Sequence, residues 1–383
     1  MSRWVTANAF AQRELAAAIS PNVSGCTVRA EIQLGLAGTG VKLVFAEEYG
    51  KTAAAYLAAV VELNGQQYPV LFDGQDAFSV KPGDKRVSDE IPVEFARGDV
   101  MTLTIALGKV SSMSETSLEQ RHSAPGNYTH GDFTALEYHN PLPGAPFNER
   151  LCGLKEILVK TEVGACIVAF GDSVTESAVW VNPLAEKIAQ ISPDTALVNM
   201  GIGGNRLLRD TNVPAMMGIQ AFGKAGLRRL DSDVLSLSGA KAVILAMGIN
   251  DIAQPGGAPG FSPPAEELCS FGELKDGLEN AASRCRQRGL AVIGATITPF
   301  KGYPSYRLES AEIRRQINEW ILSSGVFDAV LDFGKLLCDE NDPELLKQAY
   351  GIGDGLHPNP LGGAAAVEKL NLNDILQTMI IER

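Results

Sequence analysis

Residues 165–176 read Ala165-Cys166-Ile167-Val168-Ala169-Phe170-Gly171-Asp172-Ser173-Val174-Thr175-Glu176. A strand-length apolar run closes on a glycine and then on Asp and Ser, both ordinary helix caps, which predicts a buried strand turning sharply into a helix-like segment that runs to about Ile191. The same unit recurs downstream. Ala196 to Met200 is followed by a helix-like segment ending near Leu230, Lys241 to Met247 by one from Phe271 to Arg288, and Leu290 to Ile297 by one from Leu308 to Leu322, before a last apolar run at Ala329 to Phe333. Continuous apolar strands separated by helices predict an α/β fold whose parallel sheet is covered on both faces. In such sheets ligands bind beyond the carboxyl ends of the strands, so the residues just after each strand are the candidates for chemistry.

Upstream the rhythm is different. Between about residues 25 and 110, short β-prone runs (Thr27 to Leu34, Val41 to Ala46, Ala54 to Leu63, Tyr68 to Phe72, Val100 to Leu107) are separated by turns containing Gly38 and Gly40, Asn64-Gly65 and Pro82-Gly83. This pattern predicts an antiparallel β-sandwich. Residues 111 to about 162 are rich in Ser, Asn, His and Pro, which suits a long connection carrying one or two strands. The expected organisation is a sandwich domain with its connection at 1–155 and an α/β domain at 156–383.

With 383 residues, 45% of them hydrophobic and 20% charged, the chain can bury a full core in each half. A formal net charge of −12 argues against a nucleic-acid partner, which is met by clustered Lys and Arg. No run approaches the roughly 18 to 20 apolar residues of a membrane span, and Gln12, Arg13 and Glu14 interrupt the apolar opening, so neither signal peptide nor membrane anchor is expected. Six cysteines without a C-x-x-C pair fit reduced core thiols, and together these features predict a cytoplasmic protein.

Four strand-end or loop segments can carry chemistry. Ser173, on the strand-to-helix turn, can expose its hydroxyl where a helix N-terminus favours a developing oxyanion; Ser and Asp there serve equally as caps. Gly201-Ile202-Gly203-Gly204-Asn205-Arg206 can bring backbone N–H groups close to a substrate, or simply supply positive φ for a turn. It lacks the Lys-Ser/Thr of a phosphate loop. Asn250, in Met247-Gly248-Ile249-Asn250-Asp251, offers a side-chain amide to an oxyanion, or an Asx turn. His357 is the one histidine of the α/β half, since His122, His130 and His139 precede it. Asp354, three residues upstream, can orient the imidazole as a general base for a serine hydroxyl, although such a pair also occurs as a surface or capping contact.

In this order these segments resemble the SGNH hydrolases, the GDSL-like esterase and lipase superfamily. Its signature residues match Ser173 in the G-D-S block, Gly204, Asn250 in G-x-N-D and His357 in D-x-x-H-P, over roughly residues 164 to 380. Val174 stands where Leu or Ile is commoner, and Gly203 competes with Gly204, which keeps the family's spacing from Asn199. The resemblance implies a flavodoxin-like three-layer α/β/α domain with Ser173, His357 and Asp354 as triad. The oxyanion donors would be the Ser173 and Gly204 N–H groups and the Asn250 amide, with no metal or organic cofactor required. The front half is similar to the jelly-roll-like sandwich of some bacterial members, with Gly131 to Ala135 in the connection.

The implied substrate is a small-molecule or oligosaccharide acyl ester, with O-acetyl groups on carbohydrate preferred. A lysophospholipase or acyl-thioester hydrolase is the alternative, and a glycan-binding protein with a vestigial hydrolase fold is the alternative of another class. Trp4, Tyr56, Tyr68 and Tyr128 could stack on sugar rings or serve as packing residues. Asp339 to Asp342 lacks the ligand spacing of a calcium loop, and His130 and His139 are candidates for the cleft rim.

Overall fold

The structure is a computed structural model that describes residues 2–14, 27–108, 114–116, 153–211, 222–257, 262–373 and 375. His122, His130, His139, Tyr128, Gly131 to Ala135, Cys26 and Cys152 lie outside the described residues. The described residues fall into two compact units: one runs up to Cys166 and adds Ser192–Val198, and the other takes Ile167–Ile191 and the chain from Asn199 onward, apart from that addition.

The first unit is antiparallel. Its strands are β1 (Arg3–Ala9), β2 (Gln12–Glu14), β3 (Thr27–Gln33), β4 (Val41–Ala46), β5 (Ala54–Leu63), β6 (Gln66–Pro69), β7 (Phe78–Val80), β8 (Lys85–Val87), β9 (Val100–Leu107), β10 (Ser114–Thr116) and β11 (Leu154–Thr161). One sheet has the order β1-β11-β4-β8, a second β3-β9-β5-β6 with β7 also on β5, and β10 pairs with β2. Position 156 therefore lies inside a strand of the first sheet, paired with Ala9 and Val44. Alternation puts one face of each sheet inward. Phe45 of β4 meets Tyr56 of β5 and Phe78 of β7 edge-on at 5.0 and 5.1 Å between ring centroids, and Tyr56 stacks on Phe78 at 4.5 Å. Tyr56 is thus a core residue, 1% exposed. Trp4 instead lies under Lys42 Nζ, 4.9 Å from its ring, and the exposed Tyr68 hydroxyl donates to Gln66.

A five-stranded sheet is built from β12 (Ala165–Gly171), β13 (Thr195–Gly201), β14 (Ala240–Ala246), β15 (Ala291–Ala295) and β16 (Ala329–Leu331), in the order β13-β12-β14-β15-β16. β14 and β15, and β15 and β16, pair in parallel. β13 and β15 are buried along their whole length, as strands covered on both faces must be. After β12 the chain goes to one side for β13 and to the other for β14, which makes the carboxyl end of β12 the switch point where such folds bind ligands.

The helices are α1 (Ser173–Glu176), α2 (Val181–Ile191), α3 (Gly226–Leu230), α4 (Ile249–Ala253), α5 (Phe271–Gln287), α6 (Leu308–Ser323), α7 (Phe333–Leu336) and α8 (Pro360–Glu368). The segment expected to run as a helix from Ser173 to Ile191 is broken, because Ala178 takes φ +55° and buries Trp180 beyond it. α5 begins in a capping box, with Ser270 accepting from the Glu273 N–H and the Glu273 carboxylate accepting from the Ser270 N–H. Cys166, Cys269 and Cys285 are free and buried, and burial pushes the thiols of Cys269 and Cys285 up to about 12. No helix among the described residues is long and apolar enough to cross a membrane.

Candidate active site

β12 ends at Gly171, and Asp172 caps α1 by accepting the Val174 N–H at 3.1 Å. The cap starts a helix of one turn and leaves Ser173 at its first position, with the hydroxyl 2.8 Å from His357 Nε2. His357 comes from the loop before α8. Its Nδ1 is 2.5 Å from Asp354 Oδ2, while Asp354 Oδ1 accepts the backbone N–H groups of Leu356 and His357, each at 2.9 Å. A carboxylate at Nδ1 holds the proton there and leaves Nε2 as acceptor toward the Ser173 hydroxyl. Burial works to raise the Asp354 carboxyl, but the His357 ring and the two N–H donors outweigh it and hold the group below its ordinary 3.8. Asp354 therefore stays ionised throughout the neutral range.

The second side of the site is the turn after β13. Asn199 Nδ2 donates to the Thr175 carbonyl at 2.8 Å, and its Oδ1 accepts the Gly201 N–H at 2.9 Å, which ties the end of β13 to α1. Gly204 has φ +71°, a conformation that favours glycine, and a Cβ there would run into the Phe222 ring. A Cβ on Gly203 would lie 3.9 Å from Ser173 Cβ, so the turn passes close to the serine.

Asn250 reaches this turn from α4. Its Nδ2 donates to the Asn205 carbonyl at 3.1 Å, and its Oδ1 accepts from Gln254 Nε2, which also donates to the Gly204 carbonyl. The side chain thus braces a neighbouring loop instead of closing an Asx turn of its own. Gly248, with φ +124°, makes the bend that delivers it.

Two neighbouring carboxylates were not singled out from sequence as part of this framework. Asp251 accepts the Leu207 and Leu208 N–H groups at 2.7 and 2.9 Å, fixing the far end of the second turn, and burial pushes it up to about 6. Asp172 is 2% exposed, and burial, opposed by the Val174 N–H and by His357, pushes it up to about 7. A group that binds its proton more tightly folded than unfolded lowers stability as pH rises from its unfolded value near 4 toward its folded value. Wild type is therefore expected to lose, between pH 5 and pH 8, on the order of 2 kcal/mol more unfolding free energy than Asp172→Asn, which keeps the capping oxygen. Denaturant unfolding of both proteins at the two pH values checks this; parallel losses would contradict it.

Asp342 pairs with Lys301 and Glu340 with Lys347, while Asp339 caps the Asn341 N–H, and among the described residues no cluster could hold a metal ion.

A family model described as GDSL-like Lipase/Acylhydrolase family matches residues 169–365, which contain every residue of this site. No curated protein matches the chain. Similar solved structures include a GDSL-like lipase from Bacteroides thetaiotaomicron, 18% identical with a TM-score of 0.38, over 55% of this chain and 88% of that one. An acetylxylan esterase from Geobacillus stearothermophilus is 17% identical with a TM-score of 0.38, over 58% of this chain and 98% of that one.

Proposed function

The chain belongs to the GDSL-like lipase/acylhydrolase family and is a carboxylic ester hydrolase; on that premise we propose that Ser173 is its nucleophile, with His357 as general base and Asp354 as the group that orients it. The observation that carries this reading is the unbroken line from Ser173 Oγ to His357 Nε2 and from His357 Nδ1 to Asp354 Oδ2. In the reaction His357 takes the serine proton as Oγ bonds to the acyl carbon, and the Asp354 carboxylate stabilises the imidazolium. In this reading the oxyanion is held by the Ser173 and Gly204 N–H groups with the Asn250 amide, which has a second N–H besides the one it donates to the Asn205 carbonyl; such donors stabilise charge that appears only in the transition state. His357 then protonates the leaving alcohol, and water, deprotonated by the same imidazole, releases the acid and restores the serine.

The favoured substrate is a short acyl ester, in particular an O-acetyl group on carbohydrate. The cavity beside the serine turn, lined by Asp172, Val174, Trp180, Met247, Ile249 and Phe333, is about 20 Å³, which suits about one water and no alkyl chain. The absence of room for a longer chain there is in keeping with a short acyl group. A second reading, a longer acyl chain, is favoured by two apolar groups that each neighbour His357: Ile352, which is 64% exposed and whose N–H donates to the His357 carbonyl, and the Tyr303 ring, whose centroid is 6.2 Å from that of the imidazole.

Hydrolysis of p-nitrophenyl esters from acetate to palmitate, together with acetate release from acetylated xylo-oligosaccharides, separates the two. Activity falling beyond butyrate, with acetate released, is the expected result; a rate that climbs with chain length would transfer the assignment to lipid or thioester substrates. The glycan-binding reading requires that neither assay show turnover.

A further inference from the structure

Arg229 lies in α3, and its side chain is 1% exposed. A buried guanidinium is costly unless its donors and charge are met, and here they are. Nε donates to Asn205 Oδ1 at 2.8 Å, Nη1 to the Met200 carbonyl at 2.8 Å and to Asp233 Oδ2 at 2.7 Å, and Nη2 to the Gly171 carbonyl at 2.7 Å. Its plane covers the Phe170 ring at 4.0 Å.

The acceptors belong to separate pieces of the site. Gly171 closes β12 two residues before Ser173. Met200 lies at the end of β13, and Asn205 follows Gly204. The Asn205 carbonyl in turn accepts from Asn250, and the Gly171 carbonyl also accepts the Ile202 N–H at 3.1 Å. One rigid fork therefore joins the serine turn to the turn that carries the oxyanion donors. Its counter-ion is supplied by a π-helical turn, Asp231–Leu235, that directly continues α3. Single π turns are frequent at functional sites because they re-aim individual side chains.

We propose that Arg229 is a positioning residue: it touches no substrate, and it sets the separation between the Ser173 hydroxyl and the donors of the Gly204 and Asn250 side of the site. The inference rests on the assignment of Ser173 as nucleophile. A planar fork with five donors can hold three loops at fixed spacing, whereas a lysine ammonium is a point charge with no plane and no second arm. Displacement of reacting groups by about 1 Å can cost on the order of 10²-fold in rate.

The test compares wild type, Arg229→Lys, Asp233→Asn and Ser173→Ala with p-nitrophenyl acetate, with reactive serines counted by the burst from a p-nitrophenyl phosphonate. Expressed per titrated site, kcat is expected to fall about 10²-fold in Arg229→Lys and several-fold in Asp233→Asn, with KM within about threefold of wild type in both. A purely structural arginine would reduce the number of titratable molecules and leave kcat per site unchanged, and that result overturns the inference. If Arg229→Lys does not fold, Asp233→Asn, which keeps the guanidinium, decides in the same way. Ser173→Ala separates the two claims: an inert Ser173→Ala with unchanged kcat per site in the other variants overturns the positioning role alone, and a fully active Ser173→Ala removes its premise as well.

Discussion

Ser173→Ala is expected to lower kcat for p-nitrophenyl acetate by about 10⁶-fold, since triad nucleophiles removed singly cost about that much and leave only the contribution of binding and the oxyanion donors. The physical reason is local. Among the described residues the acid–base partner of the Ser173 hydroxyl is His357 Nε2 at 2.8 Å, and alanine deletes the atom that both attacks and gives up the proton. Binding should change little, because the turn is fixed by other groups: the Asp172 carboxyl at the Val174 N–H, Asn199 at the Thr175 carbonyl and Arg229 at the Gly171 carbonyl. Initial rates measured with enzyme purified from a host lacking its own esterases, with KM from the residual turnover where it is detectable, check the prediction. A decrease of less than about 10³-fold would mean that another group carries the acyl transfer.

The second large effect is expected for Asp354→Asn, at about 10⁴-fold in kcat. The amide can keep the two backbone bonds that Asp354 Oδ1 makes to the Leu356 and His357 N–H groups, so the loop should hold. What changes is the contact with Nδ1. A carboxylate only accepts, which forces the proton onto Nδ1, whereas an amide N–H can donate there and stabilise the opposite tautomer, with Nε2 protonated and unable to take the serine proton. The charge that stabilises the imidazolium disappears at the same time. A wild-type unfolding midpoint together with the activity loss is the expected pair of observations; loss of both would make Asp354 a structural residue of its loop, and loss of neither would remove it from the mechanism.

The features legible in the sequence share one property: they are set by residues near one another in the chain. Apolar runs of strand length alternating with helical periods announced β12 to β16, because a strand covered on both faces has no polar positions to confuse with a surface strand. The short alternating runs between Thr27 and Leu107 did the same for β3, β4, β5, β6 and β9, whereas β1, β2, β7 and β8 were not among the runs read from the sequence. Asp354 and His357 are three residues apart, so their spacing made a contact possible, and the structure shows it at 2.5 Å.

What stayed hidden depends on chain segments that meet only after folding. Arg229 looks from its neighbours like one of two ordinary basic residues in Gly226 to Leu230; its acceptors Gly171 and Met200 lie 58 and 29 positions away and are backbone carbonyls, which leave no mark on the sequence. Asp251 likewise serves N–H groups 44 and 43 positions upstream. The break at Ala178 was missed because nothing in Ser173 to Ile191 is a helix breaker until Pro183; the burial of Trp180, and not a local preference, sets that bend.

The central claim is that Ser173 becomes covalently bonded to the acyl group, and the most direct test is to identify the atom that reacts. The protein would be treated with a p-nitrophenyl phosphonate, which stops at the adduct, and the labelled peptide mapped by mass spectrometry. The account predicts one phosphonyl group per chain, on Ser173, with esterase activity lost in proportion to labelling and no label in Ser173→Ala. A label on another residue, or full labelling with turnover retained, would contradict it.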